Sequence, residues 1–189
     1  MDFLRDHSDA PAADAAEADR LAARARGLGR TGKQGERARL FGQAAELYRR
    51  ADQLGPAVSS AREAVASSVR TGDRQLQAAN QIRLATAQFY AGGHREAAAL
   101  LEQSAELCTD IGDELMRSFA LQHLGKCLVE MGRTTRGRSA LTAAAIIRFE
   151  LDQPHLLASS LRALLELERG LDDDDEDQPA RRQHAVPSQ

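Results

Sequence analysis

Residues 75–154 read QLQAANQIRLATAQFYAGGHREAAALLEQSAELCTDIGDE and then LMRSFALQHLGKCLVEMGRTTRGRSALTAAAIIRFELDQP. The second string repeats the first after 40 residues without a gap, and a weaker copy, GERARLFGQAAELYRRADQLGPAVSSAREAVASSVRTGDR, lies directly before them at 35–74. Each copy closes on a turn pair at one phase: Gly72-Asp73, Gly112-Asp113 and Asp152-Gln153. Small residues recur in phase as well. One column holds Ala45, Ala85 and Gly125, a second Ala57, Ala97 and Gly137, a third Ala64, Ser104 and Ala144. Helices approach closely only where side chains are short, so such columns mark helix crossings. A unit of this length holds two helices, and one pair cannot bury its apolar face alone, so it stacks on its neighbour.

This pattern resembles the tetratricopeptide repeat. The third copy carries Leu121, Leu124-Gly125, Leu128, Gly137, Leu141 and Ala144, and the first carries Phe41, Ala45, Tyr48, Ala57, Ala61 and Ala64. The chain departs from the family in two ways. Its period is 40 against about 34. Val69, Thr109 and Phe149 stand where the family has a closing proline, which predicts a longer second helix. The resemblance implies an all-α solenoid, a right-handed superhelix segment of three repeats with a capping helix at each end.

The boundaries follow. Residues 1–12 form a polar tail, and 13–34 a partial repeat whose helix ends in a Gly-rich loop. The repeats span 35–74, 75–114 and 115–154, a capping helix spans 155–170, and 171–189 form a disordered acidic tail. In the first helix Glu17 and Arg24 fall in the small-residue columns, which predicts loose packing. Gly72 and Gly112 suit the left-handed position after a helix, and Asp73, Asp113 and Asp152 suit helix N-caps. Gly92-Gly93 and Gly132 read as the inner turns of the second and third repeats, and Gly55-Pro56 as that of the first. In the last helix Leu161, Leu164 and Leu165 are expected to face inward.

The 189 residues are 42% hydrophobic and only 4% aromatic, without tryptophan, which suits an Ala-rich helical array and not a sandwich or barrel. Net charge is −3, so no global field points to nucleic acid. Residues 171–189 hold six acids, Asp172 to Asp177, against Arg181 and Arg182, a net of −4; the rest of the chain is therefore +1. Of 25 basic residues only Lys33 and Lys126 are lysine, a bias that reads as a high-GC bacterial genome. Cys108 and Cys127 have no framework spacing, which points to a reducing cytoplasm. The opening MDFLRDHSDA lacks the basic and apolar regions of a signal peptide, and no stretch approaches the roughly 20 apolar residues of a membrane span.

Catalytic and cofactor motifs fail on their own chemistry. Gly27, Gly32 and Lys33 satisfy G-x-x-x-x-G-K, but Gln34 stands where a phosphate loop needs Ser or Thr, and a helix precedes it in place of a strand. His123 and Cys127 share a helix face, yet two ligands do not make a metal site. The other histidines, His7, His94, His155 and His184, are scattered. The basic run Arg20 to Arg39 lacks interleaved aromatics and reads as a solvated face. Neither cofactor nor metal is expected, and the chain does not read as an enzyme.

The resemblance also implies where a partner binds, because in such repeats the first helix of each pair lines the concave face. Those positions are Arg39, Gln43, Glu46 and Arg50 in the first repeat, and Ala79, Ile82, Arg83, Thr86 and Tyr90 in the second. In the third they are Phe119, Gln122, His123, Lys126 and Glu130, and the final helix adds Arg162 and Glu166. Arg148 is assigned to the convex face. One subclass of the family clamps a carboxylate with Lys, Asn and Arg. Here those positions hold Gly42, Glu46, Arg83, Phe119 and His123, so that clamp is absent. The expected role is a protein- or acidic-peptide-binding adaptor without catalysis; the alternative is a sensor of a small signalling peptide or metabolite. Two readings of the acidic run Asp172–Asp177 stay open: a solubilising appendage, and an extended chain that occupies the groove when no partner is bound.

Overall fold

The computed structural model describes residues 9–29 and 32–176, with backbone alone for 171–176. Residues 1–8 and 177–189 of the two tails lie outside the described residues. The described chain is all α-helical: α1 (Pro11–Gly27), α2 (Gln34–Arg50), α3 (Leu54–Val69), α4 (Arg74–Tyr90), α5 (His94–Ile111), α6 (Glu114–Glu130), α7 (Thr134–Glu150) and α8 (Pro154–Glu176). Consecutive helices pack as hairpins. The even helices also meet one another, α2 with α4 and α4 with α6, and so form one inner row.

A left-handed residue punctuates the array at a regular interval. Asp52, Gly72, Gly92, Gly112, Gly132 and Asp152 have φ of 57°, 70°, 85°, 72°, 73° and 51°. These numbers rise in equal steps, so the repeat carries a half-period: each helix and its turn fill one half. Asp tolerates the left-handed region better than most residues. Two expectations are thereby corrected. Asp152 is the left-handed turn residue and not an N-cap; Gln153 precedes α8. The first inner turn lies at Asp52, and Gly55 and Pro56 sit in the first turn of α3, where proline's missing N–H costs nothing. Asp73 and Asp113 do cap: their carboxylates accept from the Leu76 and Met116 amides at 2.9 Å.

The small columns hold the hairpins together. All nine column positions are buried, and Ala57, Ala64, Ala85, Ala97, Ser104 and Ala144 are fully so. The closest crossing is α6 on α7. A Cβ on Gly125 would lie 2.7 Å from Leu141 Cγ and 2.9 Å from the Gly137 carbonyl oxygen, and one on Gly137 would lie 2.7 Å from Val129 Cγ2. The main apolar cluster joins α4 to α7 through Ala85, Leu101, Cys108, Leu124, Cys127 and Leu128.

Both end helices are tied down by buried arginine. Arg37 of α2 donates to the Ala25 and Gly29 carbonyls of the α1 end at 3.2 and 3.3 Å, to Ser67 at 3.1 Å, and pairs with Glu63. Tyr48 donates to Asp19 at 2.6 Å. With Ala18, Ala22 and Ala25 buried against α2, α1 packs closely and not loosely. Its small face is rotated away from Glu17 and Arg24.

The last helix differs from expectation in two respects. Leu161 and Leu165 are 47% and 59% exposed; Ser160, Ala163 and Leu167 face inward instead. Leu165 shares a column with Ala45, Ala85 and Gly125, and in α2, α4 and α6 that face meets the following helix. Among the described residues α8 has no following helix. Second, α8 continues through Glu176, so the acids Asp172 to Glu176 prolong the helix where an extended chain was expected. Elongation adds one hydrogen bond per residue to a turn already formed, and at about 1.5 Å per residue the helical run is less than half as long as an extended chain at about 3.4 Å per residue. Asp177 lies outside the described residues.

Candidate functional site

The inner row encloses a cavity of about 660 Å³. From α2 it takes Glu46 and Arg49; from α4, Ala79, Ile82, Arg83, Thr86 and Tyr90. From α6 it takes Met116, Phe119, Gln122, His123 and Lys126, and from α8, Leu156, Ser159, Arg162 and Ala163. Arg148 of α7 enters from behind. Apolar and aromatic wall is supplied by Ile82, Tyr90, Met116, Phe119 and Leu156.

Eleven of the sixteen sequence-predicted groove residues converge here: Glu46, Ala79, Ile82, Arg83, Thr86, Tyr90, Phe119, Gln122, His123, Lys126 and Arg162. Five do not. Glu166 is half-buried on α8 and lies outside the lining. Arg39 and Gln43 are exposed along α2, and Glu130 is exposed at the end of α6. Arg50 turns to α1, where it pairs with Asp14 at 3.4 Å. The site is thus displaced toward α8 relative to the expectation.

Six lining residues lie outside the sequence-predicted set, Arg49, Met116, Arg148, Leu156, Ser159 and Ala163, and the two arginines among them carry charge. The Arg49 guanidinium stacks 4.8 Å from the Tyr90 ring centroid and pairs with Glu46 at 2.6 Å. Arg148 is 1% exposed, which overturns its assignment to the convex face. It donates to Ser118 and Ser160 at 3.1 and 2.8 Å, to the Leu156 carbonyl at 3.1 Å, and to Gln122, and it lies 5.0 Å from the Phe119 ring. Gln122 in turn donates to Ser159 at 3.1 Å and accepts from Ser160 at 2.9 Å. One polar network therefore joins α6, α7 and α8 behind the groove wall. Its signal was available. Arg148 occupies the column of Ser68 and Cys108, both fully buried, so a long cation stood where a small side chain belongs.

The electrostatics are lopsided. Five bases, Arg49, Arg83, Lys126, Arg148 and Arg162, face one acid, Glu46, among the lining residues. Burial brings Arg148 down to about 10, still charged at neutral pH. Burial also lowers Arg83, with Glu46 acting in the opposite direction; Arg83 donates to Asn80 at 3.2 Å. Burial, then the charges of Lys126, Arg49 and Arg148, push the His123 imidazole down to about 3. The thiols move the other way. Burial raises Cys127 to about 12 and Cys108 to about 11, so neither supplies a thiolate at neutral pH. Among the described residues no group of three or more His, Cys, Asp or Glu side chains converges, and no helix is long and apolar enough to cross a membrane.

The depressed histidine has a consequence for stability. A value of about 3 lies below the ordinary 6.5 or so, so the unfolded chain binds this proton first. The stabilisation is complete above about pH 6.5 and is lost as pH falls toward 3. Melting temperature should drop between pH 7 and pH 4, and His123→Gln should shrink that drop. Identical pH dependence in both proteins would show that His123 is not held neutral.

The likeness to known proteins is one of fold. No family model matches the chain, and no curated protein matches its sequence. Among solved structures the chain is similar to the crystal structure of BtubC (BKLC) from P. vanneervenii, with a TM-score of 0.70 and 21% identity. That match covers 89% of this chain and 69% of the other. At this identity the likeness extends to the helical-hairpin array and not to the groove chemistry.

Proposed function

We propose that the chain is a tetratricopeptide-like solenoid, a right-handed superhelix segment, that binds an acidic segment of a partner protein in its groove without catalysis. The observation that carries this reading is the charge of the wall, five bases against one acid, set between the apolar surfaces of Ile82, Tyr90, Met116 and Phe119. Aromatic and arginine side chains commonly carry interface energy, and complementary charge steers encounter. The repeat phase of the sequence supports the family; the buried, protonated thiols argue against nucleophilic chemistry at the groove. A second reading, sensing of a small peptide or metabolite, is favoured by the cavity volume of about 660 Å³, which lies within the usual range for small ligands of roughly 300–1,000 Å³.

The test uses fluorescein-labelled hexaglutamate and fluorescence anisotropy. Arg83→Glu should weaken binding by about tenfold or more, because one charge-assisted contact becomes a repulsion. Arg83 is half-buried, so its reversal also lowers stability. Arg162→Glu, exposed on α8, should weaken binding with little change in melting. Binding that neither reversal alters, or that does not weaken with added salt, would rule out this groove.

A further inference from the structure

His123 lines the groove with one ring nitrogen closed off. Its ring forms part of the cavity wall, yet Nδ1 is enclosed and has no hydrogen-bond partner. Enclosed N–H groups without a partner are rarer than under-satisfied acceptors. The proton of the neutral ring is therefore assigned to Nε2, which becomes a donor available to a ligand. A second proton would have to sit on the enclosed Nδ1, where nothing accepts it.

The surroundings reinforce that restriction from every side. Arg49 comes from α2, Arg83 and Tyr90 from α4, Lys126 from α6 itself, Arg148 from α7 and Arg162 from α8. Glu46 is the one acid among the lining residues, and α5 contributes no lining residue. We propose that His123 binds a carboxylate oxygen of the acidic segment through Nε2–H, as a neutral imidazole. This rests on the groove reading given above and assigns the ring a role distinct from that of the cations. The cations attract the ligand from a distance, while the imidazole adds a short directional contact. Because it is uncharged, it costs no proton uptake and adds no repulsion to the crowded bases. A nearby carboxylate raises a histidine by about one to three units, which from about 3 leaves the ring neutral at pH 6.5 and above.

The geometry of amides supplies the test. A glutamine side chain can place its Nε2 near the position of imidazole Nε2, whereas an asparagine amide reaches only as far as Nδ1. With labelled hexaglutamate at pH 7, His123→Gln should bind within about threefold of the natural chain. His123→Asn and His123→Leu should each lose about tenfold or more, the worth of a hydrogen bond to a charged group. Matched melting curves identify any variant that loses affinity by unfolding, and the asparagine variant then stands in for the leucine one. Affinity of the natural chain should stay level from pH 6.5 to 8. Equal binding by the natural, asparagine and leucine proteins would overturn the role of His123 while leaving the groove reading intact. So would tighter binding toward pH 6.5, with proton uptake seen by calorimetry in the natural protein and lost in His123→Gln. Absence of hexaglutamate binding by the natural chain would overturn the groove reading, and this inference with it.

Discussion

Gly125→Leu should lower the melting temperature by about 10 °C. The argument is one of contact. Even a Cβ at this position would stand 2.7 Å from Leu141 Cγ, 3.0 Å from Leu141 Cδ2 and 2.9 Å from the Gly137 carbonyl oxygen. A leucine side chain can turn aside; a backbone carbonyl inside α7 cannot. The two helices must part, which opens the α6–α7 crossing and the core beneath it. Overpacking costs about 1–3 kcal/mol and occasionally more, and backbone against backbone places this case at about 3 kcal/mol or above. For a chain of this length each kcal/mol moves the midpoint by about 2–4 °C. Leu141→Ala should partly rescue Gly125→Ala, because two of the three contacts, those with Leu141 Cγ and Cδ2, are then removed and only the Gly137 carbonyl remains. Circular dichroism melts decide it: an unchanged midpoint for Gly125→Leu would contradict the close crossing.

Arg148→Glu should release α8 from the array. The substituted carboxylate would sit among acceptors, the Leu156 carbonyl and the Gln122 amide oxygen, which Arg148 now supplies with donors. A buried charge without a partner costs about 3–5 kcal/mol. Among the described residues the apolar support of α8 is small, since its cluster holds Leu141, Ala163 and Leu167 as buried members with Val129 and Leu164 packed against them, so this loss falls on α8 first. Limited proteolysis should then cut between α7 and α8, near Leu151 to Gln153, faster than in the natural chain. Arg148→Met removes the donors without adding charge, and relieves the cost of burying a cation, so its effect should be much smaller. Equal protease resistance of the glutamate variant would mean that the network does not hold α8.

Much of the fold was legible because close helix crossings leave a mark in sequence. Glycine, alanine and serine at one phase mark the α6–α7 contact in the sequence itself. The inner turn at Asp52 and the turn at Asp152 were not legible in the same way. Aspartate also favours N-caps and turns generally, so its left-handed backbone shows only once the half-period is seen. The orientation of α8 was misread for a related reason. Leu164 does pack against Leu141, Ala163 and Leu167, but Leu161 and Leu165 beside it are exposed, because whether a helix face is core depends on the next helix. The site followed the same division. Residues on the inner faces of α4 and α6 were placed by the repeat phase together with the resemblance, which implies that the first helix of each pair lines the concave face. Arg49 and Arg148 were not, because long side chains act away from the column that carries them, and Arg50 was drawn off by Asp14.

The central claim is that the cationic inner row is where an acidic segment binds. Amide chemical-shift mapping of the natural chain during titration with hexaglutamate tests it most directly. The account predicts shifts concentrated at Arg83, Phe119, His123 and Lys126, saturating together and fading with added salt. Shifts concentrated instead at the exposed bases of the odd helices, such as Arg62, Arg95 and Arg136, would contradict it.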